Sequence, residues 1–147
     1  MTKHAEKRNL PYTSEQLFDL VAAVDLYPEF LPWCFASRIT KRDGDVFYAD
    51  LIIGYKLIRE KFTSRVTLTR PHHIHVEYLS GPMKYLSNHW RFIEEADGTC
   101  TIDFYVEFEF KNKIFQNLIG AFFSEAIKRM VKAFELRAQE LYEPIEK

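Results

Sequence analysis

Between residues 58 and 69 the chain reads IREKFTSRVTLT. Ile58, Phe62, Val66 and Leu68 alternate with Arg59, Lys61, Thr63, Arg65, Thr67 and Thr69. A segment with that period of two can bury one face only, so it belongs in an antiparallel sheet with one covered side and one side in water. VFYADLIIG (46–54) repeats the pattern with Phe47, Ala49, Leu51 and Ile53 on one face, and HIHVEYL (73–79) adds a further strand. The charged segment HAEKRNLP (4–11) reads as an edge strand.

LSNHWRFIEE (86–95) and TCTIDFYVEFEF (99–110) form a hairpin whose register can be argued. Leu86, Trp90 and Phe92 face inward on one strand; Ile102, Phe104, Val106 and Phe108 do so on the other. Facing residues share a side of the sheet, so Glu95 opposes Thr99 across Ala96-Asp97-Gly98, with Gly98 left-handed, and Arg91 meets Asp103. A two-residue turn would set Phe92 against Asp103 and is rejected.

The period changes to 3.6 at both ends. Near the N-terminus, Ser14 as N-cap is followed by Leu17, Phe18, Val21, Ala22 and Val24 at helical spacing, and Asp25 could cap a further short turn. At the C-terminus a long helix is expected over 114–142. Its stripe holds Phe115, Leu118, Ile119, Phe122, Phe123, Ala126, Ile127, Met130, Val131, Phe134, Ala138 and Leu141. At 100° per residue that stripe spans roughly 200°, against the about 100° that packing on a core requires. The class is therefore α+β, a curved antiparallel sheet around one long helix, and such an arrangement can enclose a cavity.

Two loops support a cavity with a mouth. LYPEFLPWC (26–34) has prolines that exclude a helix interior or a central strand, yet it is apolar where loops are normally polar. SGPMKYL (80–86) is a second apolar loop. The expected lining is Leu51, Phe62, Val66, Trp90, Phe104, Phe123, Ile127 and Met130, with Phe30, Leu31, Trp33 and Met83 at the rim. Glu60, Ser64 and Asn88 are polar residues on inward faces, and Ser64 or Asn88 could donate to carbonyl oxygens of a ligand.

Other classes find little support. The 147 residues suit one domain, 1–147, burying roughly 70% of its unfolded surface. Twenty Lys and Arg against 21 Asp and Glu leave a net charge of −1, so no field draws the chain to nucleic acid. Cys34 and Cys100 form no CxxC pair and read as free thiols of a reducing cytoplasm. MTKHAEKRNL lacks the apolar core of a secretory signal, and no run approaches the ~20 apolar residues of a membrane span. His72, His73 and His75 lack further ligands for a metal. Glu107 and Glu109 share the wet face of their strand, and no phosphate loop or nucleophile elbow occurs, so neither enzyme chemistry nor a cofactor is expected. Lys128, Arg129, Lys132 and Arg137 give the last helix a modest basic edge.

YPEFLPWCFASRI (27–39), GPMKYLSNHWRF (81–92) and VEFEFKNKIFQNLIGAFFSEAIKRMVKAFELRAQELY (106–142) together resemble the coenzyme Q-binding START-like family, over about residues 3–142. The resemblance implies a helix-grip fold with a hydrophobic tunnel, ubiquinone or a polyprenylated relative as bound ligand, and a lipid chaperone supporting respiratory electron transfer. The uncharged run 114–124 and the two rim loops, Trp33 included, are expected to make transient contact with a membrane surface, and the protein is expected to be cytoplasmic, peripheral to the inner membrane. A sister branch, similar to the ribosome association toxins, is said to bind the large ribosomal subunit; it often has Gly where this chain has Trp33. Met83 departs from the aromatic residue common after Gly-Pro in that loop, and stays apolar and adaptable. An enzyme of the polyketide cyclase type shares the fold and ranks third, for want of an inward acid/base pair.

Overall fold

The computed structural model describes residues 2–55 and 58–146. Seven strands run β1 (Thr2–Leu10), β2 (Cys34–Asp43), β3 (Val46–Tyr55), β4 (Ile58–Thr69), β5 (His73–Ser80), β6 (Met83–Glu94) and β7 (Cys100–Phe110). They form one sheet in the order β1-β7-β6-β5-β4-β3-β2, with every neighbouring pair antiparallel. The charged N-terminal segment is indeed an edge strand, paired only with β7. Bulges interrupt β2 twice, and further irregularities fall at Thr63/Ser64 and Met83/Tyr85. Each adds local bend and twist to a sheet that must curve.

The β6–β7 hairpin has the register its sequence requires. Arg91 faces Asp103 and Phe92 faces Ile102. Glu95 N–H donates to the Thr99 carbonyl at 2.9 Å, and Gly98 takes φ +87°.

Helix α1 covers Ser14–Ala22 and α2 covers Lys113–Leu141. Thr13, not Ser14, is the N-cap of α1: its hydroxyl accepts from Gln16 N–H, and the Gln16 side chain accepts from Thr13 N–H. That reciprocal box satisfies two donors, which Ser14, already helical and buried, does not. Nor does Asp25 cap the next turn. A 3-10 helix spans Val24–Glu29 from Ala23 without a side-chain cap, and it contains Pro28. The expectation that proline excludes helix here fails because so short a 3-10 element loses one bond at most to the missing N–H.

The two ends of the curved sheet differ. At one end α1 lies across the β4–β5 and β6–β7 turns. Phe18 meets Phe92 edge-on at 5.5 Å, and Arg70 bonds Asp19 at 2.5 Å. The chain beyond α2 returns there as well, with Ile145 N–H donating to the Pro11 carbonyl at 2.7 Å. The opposite end gathers Trp33, the end of β3, the β5–β6 turn and the start of α2. Gly54 N–H donates to Trp33 O at 2.9 Å and Lys111 N–H to Pro82 O at 3.0 Å. The cavity-wall residues Trp33, Ile53, Phe110 and Ile119 at this end are only partly buried, so this is the open end.

Helix α2 grips the concave face through its C-terminal half. Phe134 and Ala138 are buried, and Phe134 packs on Tyr27, Phe30 and Trp90 at 5.2–5.4 Å. Its N-terminal half fits less closely. Ile114 is 75% exposed and Leu118 43%; Leu118 belongs to the apolar stripe, as does Leu141 at the far end of the helix, which also lies in solvent. A stripe of roughly 200° is wider than the face a sheet can cover, so its margin is left out. Ile58, read as inward, and Phe122 of the stripe fall outside the described side chains.

Candidate functional site

Between the concave face and α2 lies a cavity of about 290 Å³. Leu51 and Ile53 of β3, then Phe62, Ser64 and Val66 of β4, form one wall. Val76 of β5, Met83, Leu86, Asn88 and Trp90 of β6, and Phe104, Val106, Phe108 and Phe110 of β7 form the floor. Ile119, Phe123, Ile127, Met130 and Phe134 descend from α2, and Val24, Tyr27, Leu31 and Trp33 close the side. The period of two in the strands and the α2 stripe bring these positions to one space.

Thirteen of the fourteen side chains expected at a site are in this wall; Phe30 is not. Successive residues of the 30–33 loop point alternately. Leu31 and Trp33 enter the cavity, whereas Phe30 and Pro32 line a separate surface groove with Lys128, Lys132 and Leu136. Phe30 is held there by Tyr27 and Phe134 edge-on and by the Arg137 guanidinium 5.3 Å from its ring centre. Trp33 is half-buried. Val24, Tyr27, Ile53, Val76, Leu86, Val106, Phe108, Phe110, Ile119 and Phe134 complete the wall beyond the expected set. For Ile53, Val106 and Phe108 the signal is present in the sequence, since they share strand parity with residues of that set.

The cavity's polar groups are few. Asn88 accepts from the Trp90 indole N–H at 2.9 Å through Oδ1 and donates from Nδ2 to the Tyr105 carbonyl at 2.9 Å. Asn88 is therefore a positioning group that fixes the Trp90 ring, with one amide N–H left over. Ser64 is 7% exposed, sits at the β4 bulge, and has no hydrogen-bond partner among the described residues. Its hydroxyl is the free polar handle of the wall. Glu60 is half-buried and outside the lining. Tyr27 donates its hydroxyl to the Val21 carbonyl, and burial, then the neighbouring Cys34, pushes its phenol far above the ordinary range. Among the lining residues there is no Asp, Glu, His, Lys, Arg or Cys. Such a wall can exclude water and hold apolar surface, and it supplies hydrogen bonds in ones rather than an acid/base pair.

His73, His75 and His89 lie on the opposite, convex face. His75 and His89 stack at 4.1 Å, and His73 Nε2 lies 2.9 Å from His89 Nδ1. Sequence spacing does not place His89 in this cluster, because it comes from β6, opposite His75. Among the described residues no His, Cys, Asp and Glu are grouped to hold a metal ion. No described helix is long and apolar enough to cross a membrane.

A long helix held in the curve of an antiparallel sheet over an apolar cavity defines a helix-grip, START-like protein. The family model for polyketide cyclase / dehydrase and lipid transport matches residues 10–135, and the chain belongs to that family. It is 39% identical over 136 residues to the ribosome association toxin RatA of Rickettsia prowazekii, covering 90% of this chain and 92% of that one. It is 34% identical over 144 residues to the mitochondrial coenzyme Q-binding protein COQ10 homolog B of Xenopus laevis, covering 95% of this chain and 59% of that one. An 18 kDa protein from Caulobacter crescentus, known from its solution structure, is 38% identical with a TM-score of 0.78, covering 96% and 98% of the two chains. A START superfamily protein from Mycobacterium smegmatis has a TM-score of 0.83 at 14% identity, covering 95% and 99%, and shares the fold.

Proposed function

We propose that the protein binds a polyprenylated benzoquinone such as ubiquinone in the cavity and carries it as a lipid chaperone supporting respiratory electron transport, without chemistry of its own. The observation that supports this most is the apolar wall with one free hydroxyl, Ser64. An isoprenoid tail offers only apolar surface, and a quinone ring offers carbonyl acceptors that a hydroxyl can meet. At about 290 Å³ the cavity is at the lower edge of ligand sites, which run from ~300 to ~1,000 Å³. It therefore takes the ring and the first part of a tail, and a longer tail leaves by the open end. The relatives named for coenzyme Q binding point the same way.

The test is organic extraction of protein made in a ubiquinone-producing host, followed by mass spectrometry. Wild type is expected to carry an isoprenoid quinone. Loss of one hydrogen bond in Ser64→Ala should lower retention by about 2- to 10-fold. Protein that carries no isoprenoid lipid, and takes none up from vesicles, ends the carrier reading.

The relatives named ribosome association toxins favour a second reading. Its surface would be the groove where Lys128, Arg129, Lys132 and Arg137 edge α2. Co-sedimentation with large ribosomal subunits, lost on Lys128→Glu/Lys132→Glu, is its test.

A further inference from the structure

We propose that the open end of the sheet is a docking face for an anionic phospholipid bilayer, built by the start of α2 and the β5–β6 turn. The inference rests on the carrier reading, because a lipid cargo has to pass between the cavity and a membrane. It starts from an electrostatic anomaly. The first turn of α2 holds no acidic residue, and its first residue is Lys113. A helix N-terminus carries a partial positive charge and favours carboxylates, so a lysine there is unfavourable in isolation. Lys111 precedes it, and Lys84 stands at the start of β6, next to the turn that Lys111 N–H joins by its hydrogen bond to Pro82 O. All three lysines are exposed, and none pairs with a described residue. After Lys113 the helix carries no charge until Glu125.

Apolar surface stands among these cations. Ile114 is 75% exposed and Leu118 43%, one turn apart on α2, and Leu79 at the end of β5 is 48% exposed. Ile119 and Phe123, on the same helix, face into the cavity. The exposed rows and the lining are thus two faces of one short segment at the mouth. Cations interleaved with large apolar side chains complement a surface of phosphate headgroups over acyl chains. Ile114 and Leu118 would enter the headgroup boundary while the lysines meet phosphates, and the cavity would open against the bilayer. Trp33 is half-buried and belongs to the cavity wall at this end.

The experiment is co-sedimentation of the full chain with vesicles of phosphatidylcholine alone and of phosphatidylcholine with phosphatidylglycerol. Wild type should bind the anionic vesicles, less so as salt is raised. Lys84→Gln/Lys111→Gln/Lys113→Gln should weaken that binding about a hundredfold or more. Ile114→Glu should weaken it by about tenfold or more. None of the four residues lines the cavity, so both variants should keep wild-type circular dichroism and wild-type quinone content. Wild type that ignores anionic vesicles, or a triple variant that binds them as well as wild type, overturns the docking face. A dimer in sedimentation velocity that Ile114→Glu dissociates would also overturn it, giving the patch to a second copy. Quinone retained without vesicle binding sinks this proposal alone; vesicle binding with the expected dependence but no quinone leaves the face standing and sinks the carrier reading.

Discussion

His73 and His89 illustrate how a side chain's partners can be decided by another strand. The sequence shows His73 and His75 two residues apart on one strand face, which reads as a pair of surface histidines. Cross-strand pairing adds His89 opposite His75, making a stack of three imidazoles. Burial, then Arg91 and His75, lowers the His73 pKa below its ordinary 6.5. Burial, then His75, His73 and Arg91, does the same for His89. The unfolded chain therefore binds more protons than the folded one in this range. The associated stability is complete above about 6.5 and is lost as pH falls below it through the depressed folded values. Urea midpoints measured on both sides of 6.5 should fall on the acid side for wild type, and fall less for His73→Gln/His89→Gln. Equal slopes would mean that the stack has no part in acid sensitivity. Cys34 is the converse case, since its isolation in sequence already argued for a free thiol. It is buried, and burial pushes it up to about 11.

At the scale of elements, the strands were legible because the period of two and the wet-face charges agree, and the hairpin register followed from parity alone. What was not legible depended on caps and on breadth. Thr13 and Ser14 are both good N-cap types, and only the reach of Gln16 to Thr13 N–H decides between them. The α2 stripe gave the helix but not its fit, because periodicity counts apolar positions without knowing how much sheet there is to cover them. Between β5 and β6, Gly81 has φ +143°, and a Cβ there would lie 2.7 Å from the Lys61 carbonyl. The turn packs on β4 only because that atom is missing. Gly81→Ala should therefore destabilise by more than about 1 kcal/mol, through both strain and the clash with backbone. The turn leads directly into Met83 at the start of β6, whose N–H donates to the Tyr78 hydroxyl at 3.0 Å, so the variant should loosen the cavity's rim. Thermal unfolding with and without added quinone measures the two effects separately; an unchanged midpoint would show that the turn can shift away from Lys61.

For the whole molecule, the wide α2 stripe and the two apolar loops let a cavity be expected from sequence, but its size could not be read there. Leu51, Val66, Trp90, Phe104 and Ile127 would read the same in a filled core, since apolar parity says which way a side chain points and not whether its opposite number reaches it. The volume is set by the radius of the curved sheet and by where α2 crosses it, and both are properties of the assembled fold. Emptiness has a cost that substitution can measure. Ser64 presents a hydroxyl with no described partner to apolar space, so replacing it leaves no orphaned polar group behind. Ser64→Leu adds carbon that can occupy part of the about 290 Å³ without displacing a neighbour. Apolar atoms moved from water into that space should stabilise the ligand-free protein by about 1–2 kcal/mol. The same substitution takes away the donor and the room for a quinone ring, so retained quinone should fall to background. Stability rising while binding disappears is the expected signature of a cavity kept open for a ligand. Urea denaturation of delipidated protein, set beside extracted lipid content, checks both halves at once. A Ser64→Leu variant that is less stable than wild type would show the space to be too narrow to accept the larger side chain, and one that still carries quinone would place the ligand elsewhere.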